Sequence, residues 1–197
     1  MQRAMIFMDH MNFSIAFRDY YKSIKQDAPR LDYTLLFQEV AKTRNLQLLK
    51  SLVFAPEPDT FLMQDSSLSS TYKWLCGMAN ARYIDVIFGR YIARPTSTSE
   101  MSLEDRETYY KVEKGTDINL AIHALSKGFY NSYDIAIIMS GDTDYIQLYR
   151  LLKSIGKVVI VVGVGNQKLS KIIPEVDDYL WLSQKDFNNC LLAPKNK

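Results

Sequence analysis

Two apolar runs in this chain each lead into acids. Ile135-Ala136-Ile137-Ile138-Met139 leads into Ser140-Gly141-Asp142-Thr143-Asp144, and Ala4-Met5-Ile6-Phe7-Met8 leads into Asp9, with Asn12 three residues on. A further acid, Asp117, follows Lys114-Gly115-Thr116 at the head of an apolar-periodic segment. Any one of these aspartates is accounted for as a helix cap, because Asp is a favoured N-cap. The turn after Met139 nevertheless carries two acids where a cap needs one. Carboxylates gathered in one place repel, by roughly 4 kcal/mol for a pair about 4 Å apart at an effective dielectric of 20. Either they take up protons or a cation sits among them. Oxygen donors without a Cys or His at ligand spacing select a hard ion, Mg²⁺ or Mn²⁺. Such an ion polarises a phosphoryl oxygen and lowers the pKa of a bound water. In that chemistry Asp142 and Asp144 hold or orient the ion or the water. Lys114 is placed to meet a phosphate, and the helix N-terminus at Asp117 adds donors for the same anion. Asn12 can bond the turn backbone or orient Asp9. His10 is a candidate base, although a lone histidine is more often structural.

For these acids to meet, the elements between them must form a sheet with one functional edge. Continuous apolar runs without polar alternation suit strands buried on both faces of a parallel sheet. Strands are expected over 4–8, 48–55, 83–88, 135–139, 157–162 and 179–182. Helices are expected over 13–21, 31–42, 71–81, from Thr116 or Asp117 to about Gly128, from Tyr145 towards Gly156, and briefly over 169–173. Alternation of strands and helices predicts an α/β fold, three-layer α/β/α and Rossmann-like, with a mainly parallel sheet and right-handed crossovers. In such a sheet Asp9, Asp117, Asp142 and Asp144 lie on one edge. Contact requires the first and fourth strands to be neighbours, as in the order 3-2-1-4-5, with the switch point between them.

Residues 89–113 read as an inserted β-hairpin arm with a mobile tip. Its Arg90, Arg94 and Lys111 are mixed with Tyr91, Tyr109 and Tyr110. Cations for phosphates and rings for base stacking suit single-stranded nucleic acid; the alternative is a solvated hairpin whose tyrosines pack on the body.

At 197 residues the chain forms one domain, expected over 1–185 with the arm at 89–113 and a tail at 186–197, its last residues frayed. The net charge of +2 is too small to mark a nucleic-acid binder by itself, so any basic surface is local. Two cysteines without ligand spacing fit a reducing cytoplasm, and two histidines make a multi-histidine zinc site improbable. No apolar segment is long enough to span a bilayer, and the first apolar run ends at Asp9, too early for a secretory signal.

Taken in order, Asp9-x-x-Asn12, Lys114-Gly115-x-Asp117 and Ser140-Gly141-Asp142-x-Asp144-Tyr145 resemble the NYN domain, a branch of the PIN-like nuclease superfamily, and within it the bacterial LabA-type members. The resemblance runs from about Met5 to Leu182. It implies a Rossmann-like sheet of order 3-2-1-4-5, a divalent-metal site and a ribonuclease, generally endonucleolytic, acting on RNA, with single strands favoured here. It assigns Asp9, Asp117 and Asp142 to the metal, Asp144 as a fourth, auxiliary acid and Asn12 as a site-shaping residue. Ser140, Lys114, Arg90 and Arg94 join Asn12 as the expected substrate contacts. Two positions depart from the family pattern: His10 where many members have Gly, and Tyr145 where Phe is usual. An RNA-binding adaptor with little turnover, and a Toprim-like metal-dependent phosphohydrolase, are the alternatives. A homo-oligomer is compatible with either.

Overall fold

The computed structural model describes residues 1–97 and 100–192. One sheet runs through the molecule in the order β4-β3-β2-β1-β5-β6-β7. Its strands are β1 (Arg3–Asp9), β2 (Gln47–Pro58), β3 (Ile84–Pro95), β4 (Tyr109–Lys114), β5 (Ile135–Met139), β6 (Val158–Val164) and β7 (Asp178–Leu182). All neighbours pair parallel except β3 and β4. The helices are α1 (His10–Ser23), α2 (Tyr33–Lys42), α3 (Ser66–Met78), α4 (Thr116–Phe129), α5 (Ile146–Ser154) and α6 (Gln184–Asn188). Among the described residues no helix is long and apolar enough to cross a membrane.

Alternation along the strands divides the interior in two. Ala4, Ile6 and Met8 of β1 face Phe13, Phe17, Leu36, Phe37 and Phe187 of α1, α2 and α6. Met5 and Phe7 face the opposite side, with Leu120 of α4 and Leu148, Tyr149 and Leu152 of α5. Because both faces are covered, β1 and β5 read as unbroken apolar runs: from Ala4 to Met8 and from Ile135 to Met139 every side chain is buried. From β1 the chain proceeds through α1 to β2 on one side, and from β5 through α5 to β6 on the other, so the winding reverses between β1 and β5. A crevice opens there at the carboxyl ends of the strands.

The sheet is longer than the five-strand order read from the sequence. That core is extended by β4, an antiparallel edge strand, and by β7. The arm over 89–113 is part of the sheet: β3 continues past Phe88 to Pro95, and β4 returns against it. The Asp59 carboxylate ties it down, accepting from the Leu62 and Ala93 backbone N–H groups at 2.8 Å each. Tyr109 is buried with Leu62 and Ala93. The arm's tip at residues 98 and 99 lies outside the described residues. So do residues 193–197, the stretch expected to fray. Phe187 and Cys190 are buried in the first core, in α6 and just beyond it. No helix forms over 169–173; turns lead into a short 3₁₀ segment at Ile173–Glu175. The cap of α4 is neither Thr116 nor Asp117 but Gly115, in the left-handed region at φ 84°.

A glycine also sets how closely β3 and the head of α4 approach. A Cβ on Gly89 would stand 2.7 Å from both the Lys114 carbonyl and the Thr116 nitrogen, which are backbone and cannot swing aside. Gly89→Ala is therefore expected to lower the unfolding free energy by about 1–3 kcal/mol, the usual cost of overpacking, as read by urea denaturation.

Candidate active site

Asp9 is both the last residue of β1 and the N-cap of α1, so the strand passes into the helix without a loop. Its side chain is 4% exposed. One oxygen, Oδ1, accepts from the Asn12 backbone N–H at 3.0 Å. The other, Oδ2, accepts from the Ser140 hydroxyl at 3.2 Å and lies 3.5 Å from the Tyr145 hydroxyl. Ser140 in turn accepts from the Asp142 N–H at 3.2 Å, and Asp142 caps the next turn by accepting from the Asp144 N–H at 2.9 Å. The turn after β5 is also bound sideways. Asn12 Oδ1 accepts from the Gly141 N–H and from Gln167 Nε2, both at 2.9 Å. A Cβ on Gly141 would fall 2.6 Å from Gln167 Cδ, so a larger residue there would push the flexible Gln167 side chain away from Asn12.

Tyr145 joins the third element. Its hydroxyl, buried with the rest of the side chain, donates to Asp117 Oδ1 at 2.8 Å. Asp117 lies in the first turn of α4 and is exposed, so the site has a buried floor at Asp9 and an open rim at Asp117. Burial pushes the Asp9 carboxyl up to about 6; the Asn12 N–H opposes this, and the charges of Asp117 and Glu113 reinforce it. Burial and the charge of Asp117 also raise Glu113. Tyr145 is held protonated by burial first and then by the Asp9 and Asp117 carboxylates. None of the ion pairs of the described residues involves Asp9, Glu113, Asp117 or Asp142.

The expected residues divide clearly. Asp9, Asp117, Ser140 and Asn12 are in one hydrogen-bonded group, with Asp142 at its margin. Asp144 is not: its side chain is exposed beyond the cap that Asp142 forms, and only its backbone N–H bonds into the turn. His10 is buried against Tyr33 and Trp74, and burial, with the charge of Arg18, lowers it to about 4. Its Nε2 lies 3.3 Å from the Ser14 hydroxyl one turn on, and no hydrogen bond of its ring to the acids is present among the described residues. In the β3–β4 ladder Arg90 pairs with Lys114 and Arg94 with Tyr110, whereas Glu113 pairs with Tyr91. Strand alternation therefore puts Arg90, Arg94, Lys114 and Tyr110 on one face and Glu113 on the other. Tyr109 packs on Phe61 with ring centroids 5.1 Å apart, so this tyrosine belongs to the body. Glu113, Tyr145 and Gln167 are the participants that the sequence reading did not assign. Glu113 had one available signal, its place directly before Lys114-Gly115-x-Asp117.

The donor chemistry fits a hard divalent ion. The groups are oxygens, their charge is partly buried, and no Lys or Arg among the described residues neutralises it. The Tyr149 hydroxyl, within electrostatic reach of Asp142 and Asp9, is buried without a hydrogen-bond partner. The spacing is looser than the chemistry: among the described residues no three acids, histidines or cysteines stand close enough to hold a metal as they are.

Compared with known families, residues 3–183 match the model of the NYN domain. Among solved structures, the chain is similar to a protein of unknown function from Vibrio parahaemolyticus. The TM-score is 0.62 at 19% identity, over 97% of this chain and 96% of that one. At that identity the likeness concerns the fold. No curated protein matches the chain.

Asp9 binds its proton more tightly folded than unfolded, so its contribution is complete at low pH and is lost as pH rises through about 6. Metal-free protein in EDTA should become less stable to urea between pH 4 and pH 7, and Asp9→Asn should flatten that slope. Tyr145→Phe should cost the metal-free protein about 0.5–1.5 kcal/mol, the usual net worth of one hydrogen bond, because its acceptor Asp117 is exposed, by the same measurement.

Proposed function

The chain belongs to the NYN domain family, and from that premise we propose that it is a divalent-metal-dependent ribonuclease, hydrolysing RNA phosphodiester bonds endonucleolytically. The observation that carries the reading is the convergence of Asp9 and Asp117 on one buried hydroxyl, at the sheet's switch point, with no cation among the described residues to balance them. Asp9, Asp117 and Asp142 would hold Mg²⁺ or Mn²⁺. Such an ion, when bound, activates a water and stabilises charge on the phosphate under attack. Ser140 and the Asn12 N–H fix the rotamer of Asp9, and Tyr145 fixes Asp117 against it. Asn12 also holds the Gly141 backbone, keeping the turn that carries Asp142 in place. Glu113 adds negative charge next to Asp117. The exposed face of the β3–β4 ladder, with Arg90, Arg94, Lys114 and Tyr110, lies opposite Glu113 and would supply cations and a ring for single-stranded backbone running on from the acid edge. Cys76 and Cys190 are free thiols, which supports work in the cytoplasm.

One observation favours a second reading, an RNA-binding adaptor that turns over little: the acids do not stand at metal-holding spacing among the described residues. Incubation of a single-stranded RNA with Mn²⁺ separates the two. A nuclease cleaves internally, stops on addition of EDTA, and loses on the order of 100-fold or more in rate in Asp142→Asn or Asp117→Asn. Asp144→Asn should fall far less, because its side chain stands outside the cluster. Binding without cleavage across several metals supports the adaptor. Cleavage that survives both EDTA and Asp142→Asn removes the metal mechanism.

A further inference from the structure

Beside the acids, and separated from them by the Asn12–Gln167 amide pair, lies a cavity of about 340 Å³ between α1 and the turn after β6. None of the chemistry above uses it. Its α1 wall carries Ile15, Ala16, Asp19 and Tyr20, and its loop wall carries Asn166 and Gln167. The volume is at the lower end of small-ligand sites, roughly 300–1,000 Å³, which suits one heterocycle rather than a folded partner.

Its chemistry is specific. Ile15 and Ala16 give an apolar surface, and Tyr20 adds the edge or face of a ring. Polar tips are left over: the side chains of Asp19 and Asn166 make no hydrogen bond or ion pair among the described residues. Asn12 spends Oδ1 on Gly141 and Gln167, leaving its Nδ2 donor. The lining residues include one carboxylate and no Lys or Arg, so the cavity repels a phosphate. A flat group with both donors and acceptors on its edge, lying against apolar side chains, is what such a surface recognises, and unstacked RNA bases are read in this way. Asn12 and Asp19 are seven residues apart on α1, about 10 Å along the helix axis, which leaves room for one nucleoside. Because Asn12 touches both the cavity and the turn bearing Asp142, a base placed here sets its own phosphate at the acid edge.

We propose that this cavity is a nucleobase subsite that selects the nucleotide next to the cleaved bond; this rests on the ribonuclease reading. The test uses the full chain in EDTA, where no metal-dependent turnover interferes. The probes are fluorescent single-stranded uridine nonamers carrying A, C, G or U at the centre. Wild type should rank the four, and Asp19→Ala and Asn166→Ala, both exposed and outside the cores, should each weaken the preferred probe by about tenfold and level the ranking. Equal binding of all four by wild type, or a ranking unchanged in both variants, overturns the subsite. If the ranking collapses in the variants while wild type never cleaves RNA with Mn²⁺, the subsite stands and the nuclease reading falls. Absence of any RNA binding by wild type overturns both.

Discussion

Asp9 and Asp117 share a single neutral donor, the Tyr145 hydroxyl, and the rest of the edge is arranged around that contact. The magnitudes show why it does not suffice. A close carboxylate pair repels by roughly 4 kcal/mol at an effective dielectric of 20. One hydrogen bond to a charged group returns about 1.5–3 kcal/mol. Burial, and after it the charge of Asp117, raises the Asp9 carboxyl, the more buried of the pair. A scaffold that tolerates this must hold both acids rigidly. It does so with Asp9 fused into the β1–α1 junction and Asp117 carried on a helix whose start is set by Gly89 and Gly115.

Each partner in that contact arrives by a different route. Asp9 comes with β1, Tyr145 with the turn leaving β5, and Asp117 with the chain returning from the sheet's far edge through β4. Parallel winding brings the first two together automatically, since β1 and β5 are hydrogen-bonded neighbours. The third depends on the antiparallel return of β4. This makes the β3–β4 ladder part of the site's framework. The Asp59 clamp on Leu62 and Ala93 serves the same end from the other side.

The parts of this arrangement legible in the sequence are those with a strong local signature. β1 and β5 are unbroken apolar runs because both their faces are buried, and each stops abruptly at a polar turn, so Asp9 and Asp142 could be placed before any contact was known. The limits are equally physical. Asp142 and Asp144 look equivalent in Ser-Gly-Asp-Thr-Asp, but once Asp142 takes the cap the residue two positions on turns outward. Glu113 lies in a short edge strand of mixed polarity, where alternation with Lys114 is the only sign of which face it takes. Gln167 follows β6 in a turn with no periodicity, and its role arises entirely from the distant Asn12. His10 occupies a tempting position after Asp9, yet the helix starts at that very residue and rotates the imidazole into the core.

The far side of the sheet bears on how copies of this protein meet. β4 is a terminal strand with one free row of backbone N–H and C=O groups, the kind of border that recruits a foreign strand. Here Lys111, Glu113 and Lys114 stand along it within a six-residue segment. A neighbouring chain annealing to that border would have to strip water from the Lys111 and Lys114 side chains before making its first ladder bond. Stacking of sheets end to end is thereby discouraged, and the segment stays solvated beside the acids.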